Sequence, residues 1–176
     1  MHTKNLRKTI VQWVIFWLIL TLGVATVEAQ QKYQIAGEAT HAIIDQQMSK
    51  LDDVLGHTLF LSKTEGVSFS TSETEFMDGA RVISVIISDS ERFNSSFQGY
   101  SRYAKKSDIV YFKMEGNITT SLSEEGNPLT TFDAKFSLVK GTGQYENIHG
   151  SGTYKGRYIS GYIFTLEWEG EYWIGN

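Results

Sequence analysis

The chain has 176 residues, of which 41% are hydrophobic and 20% charged, with 16 glycines, one proline and no cysteine. That length suits one domain, and the apolar fraction is that of a folded protein. Because cysteine is absent, disulfide scaffolds, thiol nucleophiles and thiolate metal sites are excluded. The formal net charge of -4 argues against nucleic-acid binding, which normally needs a basic surplus.

The first thirty residues have the pattern of a secretory signal peptide. A basic start precedes an apolar run from Ile10 to Val27, and small residues follow at the -3 and -1 positions of a cleavage site between Ala29 and Gln30. We therefore expect a signal peptide, residues 1–29, and a single mature domain, residues 30–176. An uncleaved anchor is the weaker alternative, because the run is slightly shorter than the ~20 residues that span a bilayer.

The cysteine count also bears on the compartment. A secreted domain without cysteine is unusual for an animal or plant but common in a bacterial periplasm, where disulfides are optional. We expect the mature domain to be secreted or periplasmic, with no membrane contact after cleavage of the signal peptide.

The mature chain is patterned as β-strands throughout. Apolar and polar side chains alternate, and no stretch shows a sustained helical period. Long strands with one apolar face and no covering helix must close on themselves or stack. We predict an all-β fold, a single closed antiparallel barrel of about eight strands, with a two-sheet sandwich as the alternative. The expected strands are Ile35–Gln46, His57–Ser70, Ala80–Asp89, Phe97–Tyr103, Ile109–Thr120, Leu129–Lys140, Gly150–Tyr158 and Phe164–Ile174.

The hairpin of the fifth and sixth expected strands has a predicted register. A three-residue turn ending at Gly126 places glycine where a left-handed residue is required. Glu115 then faces Lys135, and a slip of one residue would turn the apolar set to solvent. The apolar pairs predicted on the other face are Met114 with Phe136, Phe112 with Leu138, Ile118 with Phe132, and Gly116 with Ala134.

The apolar inner face supplies the candidate ligand contacts. An eight-stranded barrel is just wide enough to be filled by its own side chains, so a packed core and a ligand cavity remain alternatives. Two inner-face glycines, Gly116 and Gly170, favour a cavity because each removes a side chain from the lumen. The candidate ligand-binding residues are Phe112, Met114, Phe132, Phe136, Leu166 and Trp168.

Polar residues offer little chemistry, and we assign no catalytic residue, metal or cofactor. Three glutamates on one face of the last strand are about 7 Å apart, too far for one ion to bridge, and a solvated face is expected. These are Glu167, Glu169 and Glu171. Glu65 lies mid-strand, and an inward acid or base there is the weaker alternative. The three histidines of the mature domain lack ligand spacing and are interpreted as surface or hydrogen-bonded residues: His41, His57 and His149.

A glycine-rich segment, GTGQYENIHGSGTY, follows the sixth expected strand. It lacks the pattern of a dinucleotide-binding or phosphate-binding loop. We interpret it as a tight crossing between two strands, in which Tyr145 and Ile148 close the barrel end. Its glycines allow positive φ angles and close backbone approach. They are Gly141, Gly143, Gly150 and Gly152.

This segment resembles the Gly-x-Gly-x-Phe/Tyr…Gly segment of the allene oxide cyclase and dirigent superfamily. The resemblance covers roughly His57 to Ile174, includes the strand order, and looks closest to uncharacterised secreted bacterial members. It implies a calycin-like, eight-stranded antiparallel barrel, often trimeric, with a cavity for a hydrophobic molecule. The Glu-x-Asn element and barrel cysteine of the cyclases have no counterpart here, so cyclase chemistry does not carry over.

Three functions follow as alternatives. The leading one is a secreted or periplasmic barrel that binds a small hydrophobic ligand and has no demonstrable catalytic site. The second is an isomerase or cyclase of an unsaturated lipid-like or phenolic substrate, which a buried unpaired carboxylate in the lumen would favour. The third is a non-catalytic interaction protein, such as a homotrimer, with Tyr111, Trp173 and Ile163 as exposed outer-face contacts.

Overall fold

The computed structural model describes residues 30–175, and the cleavage-site residue Ala29 and the segment before it lie outside these described residues. Within residues 30–175, no helix has the length and apolarity needed to cross a membrane. A single-turn 3-10 helix spans Gly143–Tyr145. The strands are β1 (Tyr33–Lys50), β2 (His57–Ser70), β3 (Ala80–Glu91), β4 (Asn94–Lys105), β5 (Asp108–Leu122), β6 (Pro128–Gly141), β7 (Ile148–Tyr158) and β8 (Ile163–Ile174).

The eight strands form a closed barrel in chain order. Each strand is antiparallel to the one before it, and β8 pairs back with β1 from Tyr33 opposite Tyr172 to Ala42 opposite Ile163. Closure leaves no free sheet edge along this pairing, which is how long strands without covering helices satisfy their backbone groups. The prediction of a single closed antiparallel barrel is confirmed, and the sandwich alternative is wrong.

The register of β5 against β6 is as the sequence predicts. Glu115 lies opposite Lys135, and all four predicted apolar pairs are present. Gly126 has a φ of 81° in the connecting turn, where its backbone N–H donates to the Ser123 carbonyl. A bulge between Tyr111 and Phe112 shifts the register by one residue at the far end of the hairpin.

One end of the barrel is plugged. The loop between β2 and β3 folds inward and buries Phe76 and Met77, each of them 1% exposed. The Phe76 ring lies 5.2 Å from that of Tyr145 and 5.1 Å from that of Tyr172, measured between centroids. Tyr145 and Ile148 are buried here as predicted, but the sequence did not indicate that most of the plug comes from the β2–β3 loop.

The glycine-rich segment connects the plug to the barrel wall. Gly143 has a φ of 63°, which starts the short 3-10 turn that carries Tyr145 inward. Three other glycines have a carbonyl oxygen so close that an added Cβ would collide with it: Tyr145 against Gly141, Glu171 against Gly150, and Glu169 against Gly152. The backbone of this segment can therefore pack tightly at these positions because glycine has no Cβ to collide with the neighbouring carbonyl groups.

Candidate functional site

The inner faces of the strands enclose a cavity of about 70 Å³ between the plug and the open end. All six side chains that the sequence singled out line it, and none is more than 9% exposed. They are Phe112, Met114, Phe132, Phe136, Leu166 and Trp168. They reach the lumen because strict period-2 alternation along β5, β6 and β8 puts them all on one face.

The cavity is small. A cavity of ~150 Å³ holds a benzene molecule, and drug-sized ligands occupy pockets of ~300–1,000 Å³. The expectation that Gly116 and Gly170 leave open space is wrong, because neighbouring groups fill it. Ala134 stands against Gly116, and the Phe136 ring approaches the Cβ position of Gly170 to 3.1 Å. A ring-sized ligand therefore enters only if side chains near the open end move.

The lumen has two chemically different walls. β5 to β8 supply an aromatic wall, in which Phe132 makes edge-on contacts with Tyr154 and Phe164 at centroid distances of 6.0 and 5.5 Å. β2 to β4 supply a hydroxyl wall of buried residues, Ser62, Thr64, Ser84, Ser88 and Ser101. The same strands also add Ile86, Phe97 and Tyr103 to the lining. Sequence reasoning missed the hydroxyl wall, because inward serines blur the apolar alternation by which inner faces are recognised.

Most side chains of the hydroxyl wall have hydrogen-bond partners within the barrel. The Oγ atoms of Ser84 and Ser101 are 2.7 Å apart, and the Ser101 hydroxyl donates to the Met114 sulfur at 3.7 Å. Nearer the open end, the Gln46 side-chain amide donates to Ser62 Oγ at 2.8 Å. These groups therefore satisfy one another without a ligand, as buried polar groups must.

His41 is the exception in this lining. It is 4% exposed, and its ring stacks on Phe164 with 5.1 Å between centroids and 5° between planes. Its Nδ1 lies 3.4 Å from Thr64 Oγ1, whereas its Nε2 is the one fully buried side-chain nitrogen or oxygen of residues 30–175 without a hydrogen-bond partner. Burial lowers the pKa of His41 to about 4, so the imidazole is neutral at physiological pH.

His41 is therefore a hydrogen-bonded residue, which was one of the two expected alternatives, but it is buried in the lumen and does not lie at the surface. The reason is its position in β1, where Ile35, Ala39 and His41 share the inward face and are all buried. Because side chains an even number of residues apart share one face of a strand, the position of His41 relative to Ile35 would have predicted an inward side chain. An unsatisfied buried nitrogen costs about 1–3 kcal/mol, which a ligand able to hydrogen-bond would recover.

The other two histidines of residues 30–175 lie outside the lumen. His57 bridges two carboxylates, with 2.7 Å from Nδ1 to Asp53 and 2.7 Å from Nε2 to Asp89. Hydrogen bonds to Asp89 and then Asp53 raise the pKa of His57. His149 stacks on the Trp173 ring on the outer face. For these two histidines the surface or hydrogen-bonded interpretation is confirmed.

The candidate acid or base Glu65 also faces outward. Arg81 Nε donates to its Oε1 at 2.6 Å, and this hydrogen bond holds the pKa of Glu65 below its usual value. The inward alternative is therefore wrong, because the neighbouring Thr64 occupies the inward position. Within residues 30–175, the cavity lining contains no carboxylate of the kind that would favour an isomerase or cyclase.

The glutamates of β8 form the expected solvated face. Glu167 and Glu169 are exposed, and Glu171 accepts a hydrogen bond from Lys32, which lowers the pKa of its carboxyl group. Across the described part of the chain, no cluster of three or more histidine or acidic side chains has the geometry of a metal site.

The open end of the barrel has an apolar rim, which we define by Leu55, Phe93, Leu122, Ile159 and Tyr162. Leu55, Phe93, Ile159 and Tyr162 lie in three of the turns at this end, Leu122 is the last residue of β5, and Leu55 is 86% exposed. The turns at the plugged end carry no exposed large apolar side chain among the described residues. The accessible approach to the cavity is therefore apolar.

Comparison with known proteins gives structural similarities only. No protein-family model matches the chain, and a search of the curated proteins finds no match. Among solved structures, the pterocarpan synthase dirigent protein PsPTS1 is similar at 10% identity and a TM-score of 0.47, over 83% of this chain and 97% of that chain. The pterocarpan synthase dirigent protein GePTS1 is similar at 10% identity and a TM-score of 0.32, over 82% and 93%.

Proposed function

We propose that the barrel lumen binds a small molecule that combines an apolar body with one hydrogen-bonding group. The observation that carries this proposal is the unpartnered Nε2 of His41 in the lining of an otherwise satisfied cavity. A ligand hydroxyl or carbonyl that bonded to this nitrogen would remove the cost of leaving it unpaired.

The aromatic wall sets what the body of the ligand must be. Phe132, Phe136 and Trp168 line the cavity, and aromatic surfaces favour flat apolar groups. The ligand enters past the apolar rim, because Phe76 closes the opposite end. Met114 lines the cavity and has a flexible, unbranched side chain, which suits it to making room for a single ring.

We also propose that the protein is exported and acts as a secreted or periplasmic domain. The basic start, apolar run and cleavage pattern of residues 1–29 support export. β1 begins at Tyr33, just beyond the expected cleavage point, so cleavage there would remove no part of the barrel.

Ligand binding is testable with Trp168 as a reporter inside the lumen. In a Trp173→Phe background, Trp168 is the remaining tryptophan of the mature domain, and we expect phenol or benzyl alcohol to change its fluorescence saturably. Adding His41→Leu should weaken binding by about tenfold or more, because one hydrogen bond to Nε2 is lost. His149→Leu, on the outer face, is the matched control and should leave the affinity unchanged. Equal affinity in the His41 and His149 variants would contradict the role of His41.

A second candidate function, self-association, is favoured by an apolar patch on the outer face of β2 to β4. Its members are exposed and lie next to one another on neighbouring strands: Leu61, Val85, Ile87 and Tyr100. Exposed apolar patches of this kind mark interaction surfaces. The outer-face residues singled out from the sequence lie elsewhere: Ile163 is exposed on β8, and Tyr111 and Trp173 are half-buried. We propose a homotrimer that uses the β2–β4 patch.

Native mass spectrometry of the periplasmic protein tests export and assembly together. We expect a trimer of chains that start at Gln30, and Ile87→Glu should convert it to monomers because it places a charge in the patch. Glu167→Gln, on the far side of the barrel, is the control. Chains that retain residues 1–29 would contradict export with cleavage, and a monomeric wild type would contradict the trimer.

A further inference from the structure

We infer that the lumen selects uncharged ligands, so that the hydrogen-bonding group of the ligand is a neutral hydroxyl or carbonyl and not a carboxylate, phosphate or ammonium group. This inference rests on the proposed binding function and names the ligand class of that same site. Its basis is the composition of the lining: among the described residues, no Asp, Glu, Lys or Arg lines the cavity.

The charges of the barrel strands are displaced outward by the same alternation that builds the lumen. On β5 and β6, Glu115 pairs with Lys135 on the outer face, while Met114 and Phe136 pair inside. On the hydroxyl-wall side, Arg81 is exposed and bound to Glu65. No strand therefore offers a counter-ion to a charged group inside the cavity.

His41 does not supply the missing positive charge. Its ring lies flat against Phe164, its Nδ1 faces the uncharged Thr64 hydroxyl, and no acidic group accompanies it in the cavity lining. Burial opposes protonation of such an imidazole. It therefore acts as a neutral partner that donates or accepts one hydrogen bond.

The hydroxyl wall supplies only neutral groups and therefore no counter-charge. Ser84 and Ser101 are hydrogen-bonded to each other, and the Ser101 hydroxyl also donates to the Met114 sulfur, so an anion would have to break these hydrogen bonds to use the two hydroxyl groups. A cation would find no carboxylate in the lining. An ion in this cavity would therefore be buried without a partner, which is far less favourable than burial of a neutral group.

Three ligands of nearly equal size test the selection: benzyl alcohol, benzoate and benzylammonium, titrated at neutral pH into the mature Trp173→Phe domain. We expect benzyl alcohol to bind and both ions to bind at least about a hundredfold more weakly. Binding of benzoate or benzylammonium within tenfold of benzyl alcohol overturns the inference and leaves the binding function standing. Absence of binding by all three overturns the binding function itself, and the inference with it.

A charge introduced into the lining gives the reciprocal test. Ser88 lines the cavity and is buried, so Ser88→Lys should raise benzoate affinity at least tenfold while benzylammonium remains excluded. Ser96→Lys adds the same charge at an exposed position of the neighbouring strand β4 and should leave the ligand ranking as in the wild type. An equal gain in benzoate affinity from both variants would show that the gain comes from the overall charge of the protein, and would overturn the assignment of selectivity to the lumen.

Discussion

Replacing Phe76 with alanine is expected to lower the free energy of unfolding by about 3–5 kcal/mol, the range for truncating a fully buried phenylalanine. Phe76 is 1% exposed, and its ring contacts four others, those of Phe112, Tyr145, Trp168 and Tyr172. Its removal leaves a cavity in the plug that these rings cannot all collapse into. Urea denaturation of the mature domain measures the loss.

Phe93→Ala is the matched control for this experiment. Phe93 lies in the rim at the other end of the barrel and is 69% exposed, so its truncation should change the free energy of unfolding by no more than about 0.5 kcal/mol. Similar losses in both variants would show that the β2–β3 loop does not plug the barrel in solution.

Acidification is expected to destabilise the barrel by about 3 kcal/mol through His41 alone. Its pKa is lowered from 6.5 to about 4 in the folded state, so below pH 6.5 the unfolded chain takes up a proton that the folded state resists. This loss of stability through His41 is absent above pH 6.5, grows as the pH falls toward 4, and is complete below that value.

His57 acts in the opposite direction. Asp89 and Asp53 raise its pKa in the folded state, so its protonation adds stability as the pH falls and that stability is lost as the pH rises through the raised pKa. The effects of the two histidines on stability can be measured separately by substitution, because only His41 is in the lumen. His41→Leu should flatten the loss of stability between pH 7 and pH 5, whereas His57→Gln should steepen it.

Urea denaturation at the two pH values measures both effects, with His149→Leu as the outer-face control. The lowered pKa values of Asp53, Glu65 and Glu171 add losses of stability at lower pH, and those of Glu65 and Glu171 are common to all three variants. A His41→Leu protein with the pH dependence of the wild type would show that His41 is solvated in the folded protein.

The sequence predicts one half of the barrel better than the other, for a physical reason. On β5, β6 and β8 the inward positions are mostly large and apolar, so alternation gives strand, face and register together. On β2 to β4 the inward face includes the serines Ser62, Ser84 and Ser101 and the threonine Thr64. A hydroxyl that is buried and paired looks the same in a sequence as one facing water.

The parts of the site that the sequence leaves open depend on tertiary contacts. Phe76 lies in a loop, where no periodicity indicates that it turns inward to meet Tyr145. His41 shares its inward face with Ile35, so its burial was predictable, but the missing partner of Nε2 depends on which side chains of β2 and β8 surround it.

The central claim is that a ligand hydrogen-bonds to His41 Nε2 inside the lumen, and nitrogen NMR of the histidine rings tests it most directly. In the ¹⁵N-labelled mature domain at neutral pH, the ring nitrogens of His41 should have the chemical shifts of a neutral imidazole. Benzyl alcohol should shift the Nε2 resonance of His41 and leave His57 and His149 unchanged. A saturable fluorescence change of Trp168 with no shift at His41 would contradict the claim, because the ligand would then bind without using this nitrogen.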